Sequence, residues 1–183
     1  MLQITVPETE LWDEVNEVFV YTKEKTLRLE HSLVSLSKWE SKWKKPFLTN
    51  NEKTTEETID YIRCMTIDRD VDPQTYQCLT NDQIDEVIAY IGDDMTATTF
   101  SNNAGQSKTS INGEQITAEL LYYYMIESNI PFECQKWHLN RLITLIRVVG
   151  IKRSPAKKMS PDAVKSQQAR LNAERRKKYN TKG

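Results

Sequence analysis

The sequence predicts an α+β, mostly α, fold: a small N-terminal antiparallel β element packed on a helical domain, followed by a basic, partly helical C-terminal arm. β-prone segments lie within the first 50 residues, and helical periodicity dominates from residue 54 to residue 150. The charge then reverses, because residues 151–183 hold 11 Lys and Arg against 2 acidic residues, whereas residues 1–150 hold 14 basic and 24 acidic residues. We therefore divide the chain into a β-rich segment (1–50), a helical core (51–152) and a basic arm (153–183).

The N-terminal segment contains three short β-prone stretches, at residues 3–6, 18–21 and 26–30. The last of them alternates apolar and polar residues, as a half-buried strand does. Between the first two we expect an acidic loop that contains Asp13 and Asn16.

Residues 32–43 remain open between strand and helix. The spacing of Leu36, Trp39 and Trp43 suits a helix, whereas the Ser-rich alternation before them suits a strand. Pro46 is expected to end this segment.

Two capped helices are predicted in the middle of the chain. Thr54 and Glu57 form a capping box, in which each side chain bonds a free backbone N–H group, and Thr80 caps the next helix. We expect Gly92 to end that second helix, a short helical turn at residues 74–79 and a loop at residues 96–113. The apolar stripe of the second helix consists of Ile84, Val87, Ile88 and Ile91.

A helical hairpin is predicted at residues 117–150 as the element against which the rest packs. Thr117 caps its first helix, Pro131 opens its second, and Gly150 supplies a left-handed C-terminal residue. The second helix has the longest apolar face of the chain, formed by Leu139, Leu142, Ile143, Ile146 and Val149.

Composition excludes several classes of protein. No segment approaches the ~20 apolar residues of a membrane-spanning helix, and the N-terminus lacks a signal-peptide pattern. Cys64, Cys78 and Cys134 are odd in number and widely spaced, so we interpret them as reduced thiols of a cytoplasmic protein.

No catalytic or metal-binding motif is recognisable, so we expect a protein that is not an enzyme and needs no cofactor. His31 and His138 are the only histidines, and we interpret His138 as a packing or surface residue. Cys134 and His138 have a spacing that could hold a metal ion, but no second pair completes a tetrahedral site.

Aromatic and basic side chains are the candidate partner-binding residues. Three consecutive tyrosines at 122–124 point in three directions around a helix, so at least one is expected to face outward or toward a partner. The alternative is that the rings belong to the core and its edges. The candidates are Trp39, Trp43, Tyr122, Tyr123, Trp137, Arg141, Arg175, Arg176, Lys177 and Lys178.

The basic arm has several interpretations. It could neutralise phosphates on nucleic acid, dock on an acidic protein surface, fold back on the acidic body, or remain a solvated tail. We expect protein contact over nucleic acid, because Tyr179 is the only interleaved ring on which a base could stack.

Two segments carry a resemblance to a known family. Residues 130–133 followed by 137–142, with the sequences IPFE and WHLNRL, resemble the pattern of tail assembly chaperones of tailed phages. Residues 35–43 and 45–48 also resemble segments of siphophage proteins of that class. The resemblance implies a small, largely helical protein of the host cytoplasm that binds the tape measure protein and recruits tail tube subunits. It further implies absence from the finished virion, and often a longer frameshifted product.

Two alternatives come from other classes. One is a structural virion protein of the head, connector or tail, and the other is a nucleic-acid-binding packaging factor that uses the arm. Self-association stays open, and no membrane partner is expected.

Overall fold

The computed structural model describes residues 1–13, 17–49, 52–100, 110–111, 114–153 and 161–179. It is mostly helical with small antiparallel strand pairs, which confirms the predicted class. The strands are β1 (Leu2–Val6), β2 (Thr9–Asp13), β3 (Val18–Thr22), β4 (Lys25–Leu29), β5 (Ser110–Ile111) and β6 (Glu114–Gln115). The α-helices are α1 (Leu33–Trp43), α2 (Thr55–Met65), α3 (Asn81–Gly92), α4 (Ala118–Glu127), α5 (Leu139–Arg153) and α6 (Pro161–Tyr179). Two 3-10 helices span Pro73–Cys78 and Phe132–Lys136.

The first four strands form one long antiparallel hairpin with a break in the middle. β1 pairs with β4 and β2 pairs with β3. Val6 lies opposite Lys25, and Thr9 lies opposite Thr22, so two residues are skipped on each side and the register is unchanged. Pro7 falls at the break, where a residue without a backbone N–H cannot continue the ladder.

The two halves of this hairpin differ in burial. β1 and β4 form the base half of the hairpin and bury alternate residues, and Ile4, Val6, Leu27 and Leu29 are at most 3% exposed.

The prediction of a loop at Asp13 is wrong, because Asp13 is the last residue of β2. Asn16, the other residue of that predicted loop, lies outside the described residues. β2 contains Glu10 and Asp13, which disfavour strands, so its conformation depends on pairing with β3.

Residues 33–43, which the sequence left open, form helix α1. Ser32 caps it, and the Ser35 hydroxyl bonds back to the Ser32 N–H in a reciprocal capping box. The helix ends at Trp43, before Pro46, and the next residue, Lys44, caps it with a left-handed backbone at φ 55°. Two of the serines that suggested a strand, Ser32 and Ser35, are therefore capping residues.

Both predicted caps are confirmed. Thr54 and Glu57 form a capping box at α2, and Thr80 caps α3, where the Gln83 side chain completes a second capping box. The short helical turn at residues 74–79 is also confirmed, as the 3-10 helix Pro73–Cys78. In the apolar stripe of α3, Val87 is buried but Ile88 is 53% exposed.

The helical hairpin forms with two corrections. Thr117 caps α4 as predicted, accepting a hydrogen bond from the Leu120 N–H at 3.3 Å. Pro131, however, precedes a 3-10 helix, and α5 begins only at Leu139. Gly150 lies inside α5 and does not end it, because the following residues continue the helix and place cations in its last turn.

One hydrophobic core joins the predicted β-rich segment and the predicted helical segment. It contains Leu29 of β4, Trp39 of α1, Tyr61 of α2, Leu121 of α4 and Leu142 of α5. Contacts accordingly place Met1–Val149 in one compact unit and Gly150–Gly183 in another.

In the second unit, the described side chains of α6, from Lys165 to Tyr179, are all exposed. Most of the predicted loop at residues 96–113 lies outside the described residues. None of the helices in the described part of the chain is long and apolar enough to cross a membrane.

Candidate functional site: an exposed aromatic hairpin

The distal half of the N-terminal hairpin presents aromatic rings to solvent. Trp12 lies opposite Phe19 and Glu10 lies opposite Tyr21, so these four side chains share one face of the β2–β3 pair. Trp12 is 51% exposed, Phe19 69% and Tyr21 57%. The Trp12 and Phe19 rings meet edge to face, with centroids 4.9 Å apart. We call Trp12, Phe19 and Tyr21 the aromatic face.

Contacts at the break hold this half of the hairpin in place. The Thr22 hydroxyl donates to the Thr9 carbonyl oxygen at 2.8 Å and lies 3.2 Å from the Cys78 sulfur. Cys78 belongs to the 3-10 helix Pro73–Cys78, so the contact between Thr22 and Cys78 holds the hairpin at the point where it leaves the core. The aromatic face lies beyond that point.

Carboxylates of Glu8 and Glu10 lie beside the aromatic face, in an acidic stretch of the sequence. Residues 8–17 hold five acidic residues and no basic one: Glu8, Glu10, Asp13, Glu14 and Glu17. The Tyr21 hydroxyl donates to a Glu8 carboxylate oxygen at 2.6 Å, and this hydrogen bond raises the pKa of Tyr21. An apolar face bordered by carboxylates favours a partner that combines apolar and basic side chains, because cations are attracted both to carboxylates and to ring faces.

Among the sequence-predicted partner residues, Trp39 requires a correction. It is 1% exposed, and its indole N–H donates to the Glu57 carbonyl oxygen of α2 at 2.9 Å. Trp39 is therefore a core residue. Trp43 is half-buried and stacks on Trp39, and its indole N–H donates to Asp60 at 2.9 Å.

The candidates on the helical hairpin are more accessible. Tyr123 is 56% exposed, whereas Tyr122 is half-buried and donates its hydroxyl to Gln135 at 3.0 Å. The Arg141 guanidinium lies 4.3 Å from the ring centroid of half-buried Trp137. The four basic candidates at residues 175–178 are exposed on α6, in the second unit.

Sequence reasoning missed the whole aromatic face. The acidic residues around Trp12 suggested a loop. Side chains can be assigned to one face or the other only in a regular strand, so the loop assignment gave no reason to group Trp12 with Phe19. The signal was present in the alternation of residues 18–21, since Phe19 and Tyr21 occupy positions two apart. Recognising Thr9–Asp13 as the pairing strand would have placed Trp12 beside Phe19.

The fold also brings together two histidines that are far apart in sequence. The rings of His31 and His138, both buried, lie with centroids 5.1 Å apart. The His31 Nδ1 lies 2.6 Å from the Tyr61 hydroxyl oxygen. The His138 Nε2 lies 3.0 Å from the Tyr90 carbonyl oxygen, which can only accept, so His138 carries its proton on Nε2.

This histidine pair is electrically neutral. Burial, with His138 nearby, lowers the pKa of His31 to about 3, and burial also lowers the pKa of His138. Burial raises the pKa of Tyr61, which keeps its hydroxyl protonated. The pair therefore packs the junction between the hairpin and α5, where the Leu139 N–H donates to the His31 carbonyl oxygen at 2.7 Å.

The described residues contain no group of three or more His, Cys, Asp and Glu side chains that could hold a metal ion. Cys134 is a free, buried thiol.

The sequence matches no protein-family model, and the searches of the curated proteins and of the solved structures found no match to it.

Proposed function

We propose that this protein is a non-enzymatic binding factor, and that it acts as a tail assembly chaperone of a tailed phage. In this role it binds the tape measure protein in the host cytoplasm and recruits tail tube subunits. The observation that carries the proposal is the aromatic face, three exposed rings on a hairpin that is held at its break by contact with the 3-10 helix Pro73–Cys78.

The aromatic face has the composition of a protein-binding surface. Large, stiff aromatic side chains bury much area at a low cost in conformational entropy, which makes them frequent anchors of protein interfaces. The carboxylates beside Trp12 and Tyr21 select for basic residues flanking an apolar segment. A long helical chain with apolar and basic positions, which must be kept soluble before a tube closes round it, fits both requirements.

The test is co-expression with a fragment of the tape measure protein that is insoluble alone. We expect the full chain to keep the fragment in solution. The double variant Trp12→Ala/Phe19→Ala should lower the soluble fraction several-fold, because it removes the anchor rings and leaves the core untouched. Ile67→Ala is the matched control, since Ile67 is an apolar residue of similar exposure, 50%, outside the hairpin.

Two results would contradict the proposal. Equal soluble fractions with the double variant and with wild type would show that the aromatic face does not bind the partner. Stoichiometric amounts of this chain in purified virions would instead support the structural alternative.

The basic arm supports a second candidate, a nucleic-acid-binding packaging factor. α6 carries six basic residues against Asp162 and Glu174. Its described side chains are exposed, so they are accessible to phosphates. DNA binding that depends on residues 154–183 and falls steeply with salt would favour this candidate, because the steepness reports released counterions.

A further inference from the structure

An apolar pocket of about 420 Å3 lies in the first unit, away from the aromatic face. Its walls come from the segment after α1, from α2 and from α3. Allowing ~30 Å3 for each water-sized group, this volume holds roughly 14 such groups. Ile88 and Ile91 of α3 line it, which explains why the apolar stripe of that helix leaves Ile88 53% exposed.

Two aromatic rings belong to the pocket wall. Phe47 and Tyr61 stack with ring centroids 3.7 Å apart. The Tyr61 hydroxyl lies against the buried His31 Nδ1 at 2.6 Å, so its polar end is already occupied. The pocket therefore gains two ring surfaces without a free hydroxyl.

The polar residues of the wall are Thr49, Thr58 and Lys53. Both threonine hydroxyls donate to backbone carbonyls, Thr49 to Pro46 at 3.1 Å and Thr58 to Thr54 at 3.0 Å. Among the described residues of this wall, Lys53 is the only cationic one.

Lys53 forms no direct ion pair within the described part of the chain, although the Glu57 carboxylate attracts it electrostatically. Its ammonium lies 4.5 Å from the Phe47 ring centroid, and it is half-buried. The nearby Glu57 carboxylate forms its ion pair with Lys45 instead, at 2.6 Å. Burial lowers the pKa of Lys53, and the Glu57 carboxylate offsets this effect only in part.

We propose that this pocket binds a medium-chain aliphatic monocarboxylate, with the hydrocarbon chain against Phe47, Tyr61 and Ile88 and the carboxylate on the Lys53 ammonium. A chain of about ten carbons matches the volume, counting each heavy atom as one water-sized group. The ligand carboxylate gives Lys53 a direct ion pair in a partly desolvated setting, where an ion pair is stronger than in water.

The test is titration calorimetry of the full chain with decanoate below its micellar concentration. We expect saturable binding of one decanoate per chain, and binding at least tenfold weaker for decanol, which has the same chain without the charge. Lys53→Met should weaken decanoate binding about tenfold while leaving decanol binding unchanged. Lys23→Met, at an exposed lysine outside the pocket, is the control and should bind decanoate like wild type.

A charge exchange makes the assignment specific. Lys53→Glu should lose decanoate binding and acquire binding of decylammonium. Methyl-detected NMR should show decanoate shifting the resonances of Ile88 and Ile91 and not those of Ile143, which is outside the pocket. Failure of decanoate to saturate, equal affinities of wild type and Lys53→Met, or several bound molecules per chain would each overturn the proposal. So would self-association through this face that excludes decanoate.

Discussion

At the scale of single residues, burial determines the charge state of His31. His31 is fully buried against Tyr61, Phe47 and His138, and no carboxylate bonds it within the described residues. Its imidazole therefore stays neutral, with a pKa of about 3 against an ordinary value near 6.5. Unfolding returns it to the ordinary value, which couples its protonation to stability.

The sign of this coupling follows from the two pKa values. Between pH 3 and pH 6.5 the unfolded chain binds more protons at His31 than the folded chain does, so the free energy of unfolding falls as the pH is lowered. We expect His31 to account for a loss of about 2 kcal/mol between pH 7 and pH 5. Urea unfolding of wild type and His31→Gln at both pH values measures it, because the variant lacks this share of the pH slope.

NMR supplies an independent check, since the chain has only two histidines. The His31 ring resonances should not move between pH 8 and pH 5 while the chain remains folded. A titration midpoint near 6.5 for His31 would contradict its burial. Equal pH slopes for wild type and His31→Gln would contradict the coupling.

Glu40 shows what residue patterns leave hidden. Its carboxylate is buried and accepts hydrogen bonds from the Phe47 N–H at 2.8 Å and from the Ala118 N–H at 2.7 Å. These bonds join α1 to the loop after it and to the start of α4. Ala118 is 78 residues away in the sequence and Phe47 lies beyond the end of the helix, so no helical spacing predicts that a charged residue next to Trp39 belongs to the core.

At the scale of elements, local signals predicted the helices well and the long-range pairing poorly. The capping boxes at Thr54 and Thr80 involve residues three apart, and both helices begin where the sequence indicates. β2 was missed because a strand with Glu10 and Asp13 is stable only with its partner β3 beside it. The candidate site lies on that pair, which is why it was missed too.

The helical hairpin allows a direct measurement of its share of the core. Leu142 is fully buried at the middle of the apolar face of α5. Leu142→Ala should lower the free energy of unfolding by ~2–5 kcal/mol, because it leaves a cavity among residues that cannot fully close it. Leu171→Ala, at a leucine 44% exposed on α6, is the matched control and should change it by less than ~0.5 kcal/mol. A near-neutral Leu142→Ala would show that this face is not packed in the isolated protein.

At the scale of the whole molecule, charge and burial divide the chain at nearly the same place. The acidic part of the sequence and the shared core both end near residue 150, and the basic arm follows. The charge reversal predicted this boundary from composition alone, because a segment poor in apolar residues cannot contribute a core. Composition could not show that the core contains residues from both sides of the predicted boundary at residue 50.

Removal of the arm tests this division. α6 exposes its described side chains from Lys165 onward, and its one described ion pair, Arg170 with Glu174 at 3.4 Å, is internal and exposed. A chain ending at Arg153 keeps all of α5 and should unfold within ~1 kcal/mol of the full chain, since exposed intrahelical pairs contribute little. Urea unfolding of both chains at pH 7 measures the difference.

If the proposed function is correct, the shortened chain should still keep the tape measure fragment soluble, because the aromatic face is intact. Loss of folding would make the arm part of the core, and loss of solubilisation alone would move the partner-binding surface from the hairpin to the arm.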